Sequence, residues 1–289
     1  MRRVFLFMLL LANQAAFFPN SAVAGREERG TVMLNPGIVH YQDGRVATIL
    51  PDSLPFGPGE IMDYDLKYGV VSMGRARLEA TEEIDYLGQK SLVIISRGKT
   101  AKWVDSIYKV RDETRSILDL EHMHSLYFGK NLHEGDYRKK IKAVYYHDEG
   151  LARYDDGSEV EFLPGSQDIL TALYYLRSFP LEPGMSLEIP LHDGKKNYPL
   201  KVLVLGRERI ETKLGMFDCL LLEPKFESQG LFKSEGRMQI YLSDDDRRVP
   251  VLLKAKAPVG AFTSELKAYQ KGRRLSVSLE ERPGEEARD

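Results

Sequence analysis

Apolar and charged residues alternate with a period of two through most of the chain. In Met62-Asp63-Tyr64-Asp65-Leu66-Lys67-Tyr68 the even positions are apolar and the odd ones mostly charged. A strand with that pattern has one buried face and one wet face. Arg75-Ala76-Arg77-Leu78-Glu79-Ala80 repeats the alternation with small inward residues. Further strands are predicted over 91–96, 106–111, 115–118, 125–128, 140–147, 151–154 and 159–163. A second run follows at 186–190, 198–205, 217–223, 237–242, 249–256 and 262–269. Leu87-Gly88, Glu149-Gly150, Asp156-Gly157, Asp193-Gly194 and Leu214-Gly215 supply turns between them. Strands so closely spaced predict antiparallel meanders rather than βαβ units.

One helix interrupts the pattern near 167–179. Ser166 is placed to cap it, with Asp168 in the first turn, where a negative charge is favourable. Ile169, Leu170, Leu173 and Leu176 recur at helical spacing, and Pro180 ends the segment. The fold class is therefore all-β and mostly antiparallel, with one central helix. A sheet of a dozen strands curls into a barrel or half-barrel, or divides into two packed sheets. The helix then covers an opening; alternatively it joins two small β domains.

Both ends read differently from this body. Arg2 and Arg3 precede an apolar stretch over 4–12, and Ala22-Val23-Ala24 matches a small-x-small cleavage pattern. The expectation is a signal peptide over 1–24, cleaved after Ala24, and a periplasmic protein, with an extracellular one as the alternative. The apolar run is far shorter than the ~20 residues of a membrane span. Residues 25–54 carry Asn35-Pro36-Gly37 and Asp43-Gly44 and read as a loosely ordered arm. The β body is expected over 55–269, and residues 270–289 as a disordered charged tail.

Composition sharpens this picture. The 289 residues are 43% hydrophobic and include 15 Tyr and 12 Phe, ample for a core and against global disorder. Lys and Arg total 41 against 43 Asp and Glu, so no overall field draws in nucleic acid. Loss of residues 1–24 removes two arginines and no acid, leaving the mature chain more acidic. The single cysteine, Cys219, excludes an internal disulfide framework and reads as a small core residue.

Candidate chemistry is sparse. His122 and His124 form an H-x-H pair, which on a strand would share one face and could meet a metal, with His133 or His147 as third ligand. A partly exposed, uncommitted pair is the preferred reading, and no metal or other cofactor is expected. Asp244-Asp245-Asp246-Arg247-Arg248 has Val249 and Ala255 where a calcium loop needs Gly and Glu, so it reads as a hairpin turn. Ser166 lacks a nucleophile-elbow context, and no phosphate-binding glycine loop occurs. Basic pieces at 138–142 and 195–196 read as wet strand faces or guarded sheet edges.

Several of these stretches together resemble a bacterial exported family, domain of unknown function 3108. The resemblance runs through Phe56-Gly57-Pro58-Gly59-Glu60, Tyr64, Gly74, then Leu173, Tyr175, Leu176, Arg177, Pro180-Leu181 and Gly184. It continues at Gly215, Phe217, Glu223-Pro224 and Gly236. It closes on Ile240-Tyr241-Leu242-Ser243-Asp244-Asp245 and Arg248-Val249-Pro250-Val251. It implies an all-β periplasmic body and carries over no catalytic residues. Arg177, beside an apolar stripe, is expected to pair with a carboxylate, Asp245 or Glu60. A looser similarity, to periplasmic lipoprotein carriers, implies a curved sheet closed by helices around an apolar cavity.

The leading expectation is a soluble, periplasmic, non-enzymatic envelope protein that binds a lipid, glycolipid or other amphipathic ligand in that cavity. The residues put forward for binding are Tyr64, Leu66, Tyr68, Trp103, Tyr145 and Arg177. Leu66, Leu78, Val202 and Val204 are expected to face inward. A protein- or polysaccharide-binding module without a cavity is the alternative, and an envelope hydrolase the third. No nucleic-acid partner is expected.

Overall fold

The alternating segments pair with their neighbours in sequence. The computed structural model describes residues 38–40, 46–48, 53–226, 237–257 and 260–275. The expected signal peptide with its cleavage site, much of the expected arm, and 276–289 of the expected tail lie outside the described residues. The first run of strands is β3 (Glu60–Tyr68), β4 (Val71–Tyr86), β5 (Gln89–Thr100), β6 (Arg111–Asp119), β7 (Ser125–Glu134), β8 (Tyr137–Tyr146), β9 (Leu151–Tyr154) and β10 (Glu159–Glu161). The second is β11 (Ser186–Asp193), β12 (Lys196–Thr212), β13 (Gly215–Phe226), β14 (Arg237–Ser243), β15 (Pro250–Ala257) and β16 (Gly260–Gln270). Two short strands, β1 (Ile38–His40) and β2 (Val46–Thr48), precede them. The helices are α1 (Lys102–Asp105) and α2 (Ile169–Arg177).

All sixteen strands lie in one sheet of order β10-β9-β8-β7-β6-β5-β4-β3-β16-β15-β14-β13-β12-β11-β1-β2. The two meanders fuse through the antiparallel pairing of β3 with β16. Hairpin chemistry follows the expected dipeptides: Leu87 and Gly88 both have positive φ, 57° and 79°, as a type I′ turn requires.

The sheet is half-barrel-like, and the segment before α2 stitches its far strands together. Gln167 forms a parallel bridge with Leu191, its amide donating to Pro190 O at 2.8 Å. On the other side, the Ser125 amide donates to Ser166 O. Side chains add to this closure: Tyr145 Oη donates to His192 O at 3.2 Å, and buried Lys130 pairs with buried Asp193 at 3.2 Å.

One expected strand is absent. Residues 106–109 form the turn after α1, Val110 makes a single antiparallel bridge to Glu134, and β6 begins only at Arg111. Asp105 holds both Thr100 Oγ1, at 2.5 Å, and the Arg111 guanidinium, at 2.6 Å, so the chain folds back before pairing. The described fold includes residues on either side of 55–269. Leu54 N donates to Leu275 O at 2.8 Å, and both side chains are buried. A Cβ on Gly57 would overlap the Arg273 carbonyl, so the close crossing of these segments requires glycine.

Candidate functional site

Helix α2 lies against the inner face of the sheet and is fixed at both ends. Its N-cap is Asp168, not Ser166, because only the Asp168 carboxylate reaches the free amides: Leu170 N at 2.8 Å and Thr171 N at 3.1 Å. Ser166 Oγ instead donates to Leu163 O. The same carboxylate accepts from Ser116 Oγ on β6 at 2.8 Å and Ser125 Oγ on β7 at 2.9 Å. Burial raises the Asp168 pKa above the usual carboxylate range, and these four donors work against that rise.

At the C-terminal end, Arg177 makes a two-pronged pair with Glu60 on β3, at 2.9 and 2.7 Å. Burial alone would lower the guanidinium pKa, but the Glu60 carboxylate outweighs it and raises it. Of the two expected partners Glu60 is the one used. Asp245 accepts from Ser243 Oγ and the Arg247 and Arg248 amides, bracing the turn between β14 and β15.

Between these two fixed ends an apolar cavity of about 110 Å³ separates α2 from the sheet. Ile169, Leu170, Leu173 and Leu176 border it from the helix, and Val202, Met238, Ile240 and Leu253 from the strands. The space exists because inward positions on neighbouring strands are small. Ala76 is paired with Gly98, Ser96 with Leu78, and Ser264 with Leu66. Tyr64 forms part of the wall, its hydroxyl donating to Pro250 O at 2.9 Å.

The opposite face of β3–β6 carries a groove of about 680 Å³. Its cross-strand row runs Asp63, Arg77, Arg97, Glu113 and Asn131, beside Arg75, Lys99 and Arg111. Arg77 chelates Asp63, and Arg97 bridges Glu79 and Glu113. Arg75, Lys99 and Lys267 have no ion-pair partner among the described residues.

The six residues put forward from sequence do not converge. Tyr64 lines the cavity; Leu66 is buried on the same strand without bordering it. Tyr68 is 38% exposed and leans on Phe262 at the end of β3, and Trp103 is 51% exposed on α1. Tyr145 belongs to a separate cluster with Phe128, Tyr154 and Phe162. Arg177 fixes the helix. Leu78 and Val202 line the cavity, whereas Val204 packs in the core away from it. The helical stripe, the small residues of β4 and Val202 on β12 were legible in the sequence, but Met238, Ile240 and Leu253 join the wall only through the sheet's curl.

His122 and His124 come together around buried Asp119, at 3.0 and 3.3 Å. Burial would raise the Asp119 pKa, but hydrogen bonds from His124, His122 and the Glu121 amide hold it well below the usual range. His147 stacks on His124 with centroids 3.4 Å apart, while burial and that neighbour push its pKa down to about 4. His133 is not part of the cluster.

Comparison with known proteins gives the fold but no activity. No curated protein matches the chain. A β-barrel-like protein of domain of unknown function DUF1849 from Brucella abortus is similar at 11% identity and TM-score 0.55, over 75% of this chain and 99% of that one. A DUF1089-family protein from Pseudomonas aeruginosa is similar at 12% identity and TM-score 0.38, over 63% and 89%. No helix among the described residues is long and apolar enough to cross a membrane. Residues 63–267, the span that holds both the cavity and the anchored helix, match the family described as protein of unknown function (DUF3108), and the chain belongs to that family.

Proposed function

We propose that this is a soluble, non-catalytic envelope protein, exported to the periplasm, that shelters an apolar segment of a lipid or glycolipid between α2 and the sheet. The observation that carries the reading is the apolar cavity beside α2. Apolar cavities of this kind stay dry and take up hydrocarbon: an engineered one of ~150 Å³ binds benzene. At about 110 Å³ the space suits the end of an acyl chain or a single ring, with the rest of the ligand outside it. Each methylene taken from water contributes roughly 0.8 kcal/mol. The charged n-region and apolar stretch at the start of the sequence support export.

The test is native mass spectrometry with lipid extraction on protein purified from the periplasm, for the native chain and for Ala76→Phe, which fills the cavity. A stoichiometric lipid on the native chain that is lost from the variant is the expected result. Bare native protein, or equal lipid on both, overturns the reading.

A second reading rests on the groove. Arg75, Lys99 and Lys267, free of acidic partners among the described residues, suit an anionic envelope polysaccharide running across β3–β6. Salt-sensitive retention on such a polymer, lost in Arg75→Ala/Lys99→Ala, is expected from it; retention unchanged by that double substitution refutes it.

A further inference from the structure

The backbone turns sharply just after β6. Met123 sits at φ 54° with its side chain fully buried, a left-handed conformation uncommon outside glycine. The turn brings both flanking imidazoles to one oxygen of Asp119. His122 Nδ1 lies 3.0 Å and His124 Nε2 3.3 Å from Asp119 Oδ2, and the three ligand atoms all fall within 4.8 Å of one another. The other oxygen, Oδ1, is held by the amides of Glu121 at 2.7 Å and His122 at 3.1 Å. His147 packs flat on His124 and directs Nε2 to Ser125 O at 2.7 Å.

We propose that Asp119, His122 and His124 form a binding site for a first-row divalent transition metal, with zinc the best fit. Ligand atoms at ~2.0–2.2 Å from a tetrahedral zinc stand roughly 3.3–3.5 Å apart. The two separations to Asp119 are close to that spacing, and all three ligand atoms lie within 4.8 Å of one another, so the metal enters by side-chain adjustment. Two imidazole nitrogens and one carboxylate oxygen suit zinc, whereas calcium needs six or more oxygens. The amides on Oδ1 and the stacked His147 supply the outer support that orients such ligands. Asp119 is buried and His124 nearly so, while the His122 side chain is 47% exposed. The site is therefore anchored on the protein side and open toward water, leaving a fourth position for solvent or another ligand.

The experiment is calorimetric titration of the chelator-treated full chain with zinc chloride. The native chain, His122→Ala and His133→Ala are compared, and circular dichroism checks that each is folded. One zinc per chain is expected. His122→Ala, at a half-exposed position, should weaken binding by at least the ~10–100-fold that loss of an outer-shell partner costs. His133→Ala, outside the cluster, should bind as the native chain does. Absence of saturable binding at micromolar zinc, or equal affinity in His122→Ala and the native chain, overturns the proposal.

Discussion

Arg177 and Glu60, 117 residues apart in the chain, face each other in a two-pronged ion pair with neither side chain exposed. Phe56 and Tyr174 flank the guanidinium, their ring centroids 5.1 and 4.9 Å from it. Removing one partner strands a buried charge, so Arg177→Met and Glu60→Leu should each cost about 3–5 kcal/mol of stability. The double substitution should recover much of that loss, because desolvation offsets most of what a buried pair gains. Urea unfolding of the four proteins measures the coupling, and strictly additive losses would contradict it.

The other end of α2 depends on Asp168. Alanine there removes the cap and leaves the buried Ser116 hydroxyl without its acceptor, while Ser125 keeps its contact with Thr171 Oγ1. A lost cap costs about 1 kcal/mol, and a stranded buried donor adds about 1–3 kcal/mol. Asp168→Ala should thus lower unfolding free energy by clearly more than Ser166→Ala; equal effects in denaturant titrations would reassign the cap.

His192 is buried with both nitrogens engaged: Nδ1 with Asn197 Oδ1 and Nε2 with Tyr154 Oη, each at 2.7 Å. Desolvation holds its pKa below the ordinary value. Below about pH 6.5 the unfolded chain takes up a proton that the folded one refuses. The stability from this group is therefore complete above that pH and is lost as pH falls toward the depressed folded value. His192→Phe should flatten the slope of unfolding free energy against pH below 6.5; an unchanged slope would exclude His192 as its source.

Cys219 is fully buried on the other face of β13, among Ile210, Leu221, Tyr241 and Val251. Burial, reinforced by nearby Asp218, pushes its thiol up to about 12. A thiol-reactive dye at pH 8 should label it only at the rate at which this part of the sheet opens. Labelling of folded protein at the rate of a free thiol would show that β13 is not packed as described.

Most strands of the body were legible as alternation, because a half-buried strand writes its two faces into alternate residues, while β5 and β13 showed as short apolar runs. The same logic misled at 106–111. There Tyr108 and Val110 mimic a strand, but Asp105 reaches back to Thr100 and across to Arg111, a contact no local pattern contains. The histidine pair shows the same limit. On a strand its two rings would share one face; here Met123 turns the backbone, and the third member, Asp119, comes from the chain before it. Glu60 was nameable as a partner for Arg177 by charge alone. Choosing it over Asp245 required knowing that β3 passes beneath the end of α2.

The pairing of β3 with β16, together with the Leu54–Leu275 bond, brings the start and finish of the body side by side. The connectivity from β3 to β16 is thus effectively circular, and the crossing of residues 54 and 275 is only one of several places where the ring could be cut. A permutant of residues 54–275, joined by a short flexible linker across those two residues and opened at Asp156-Gly157 between β9 and β10, should keep the ladders from β3 to β16 intact. Such a chain would carry any appended group away from the crossing of the original ends, onto the rim beside β10.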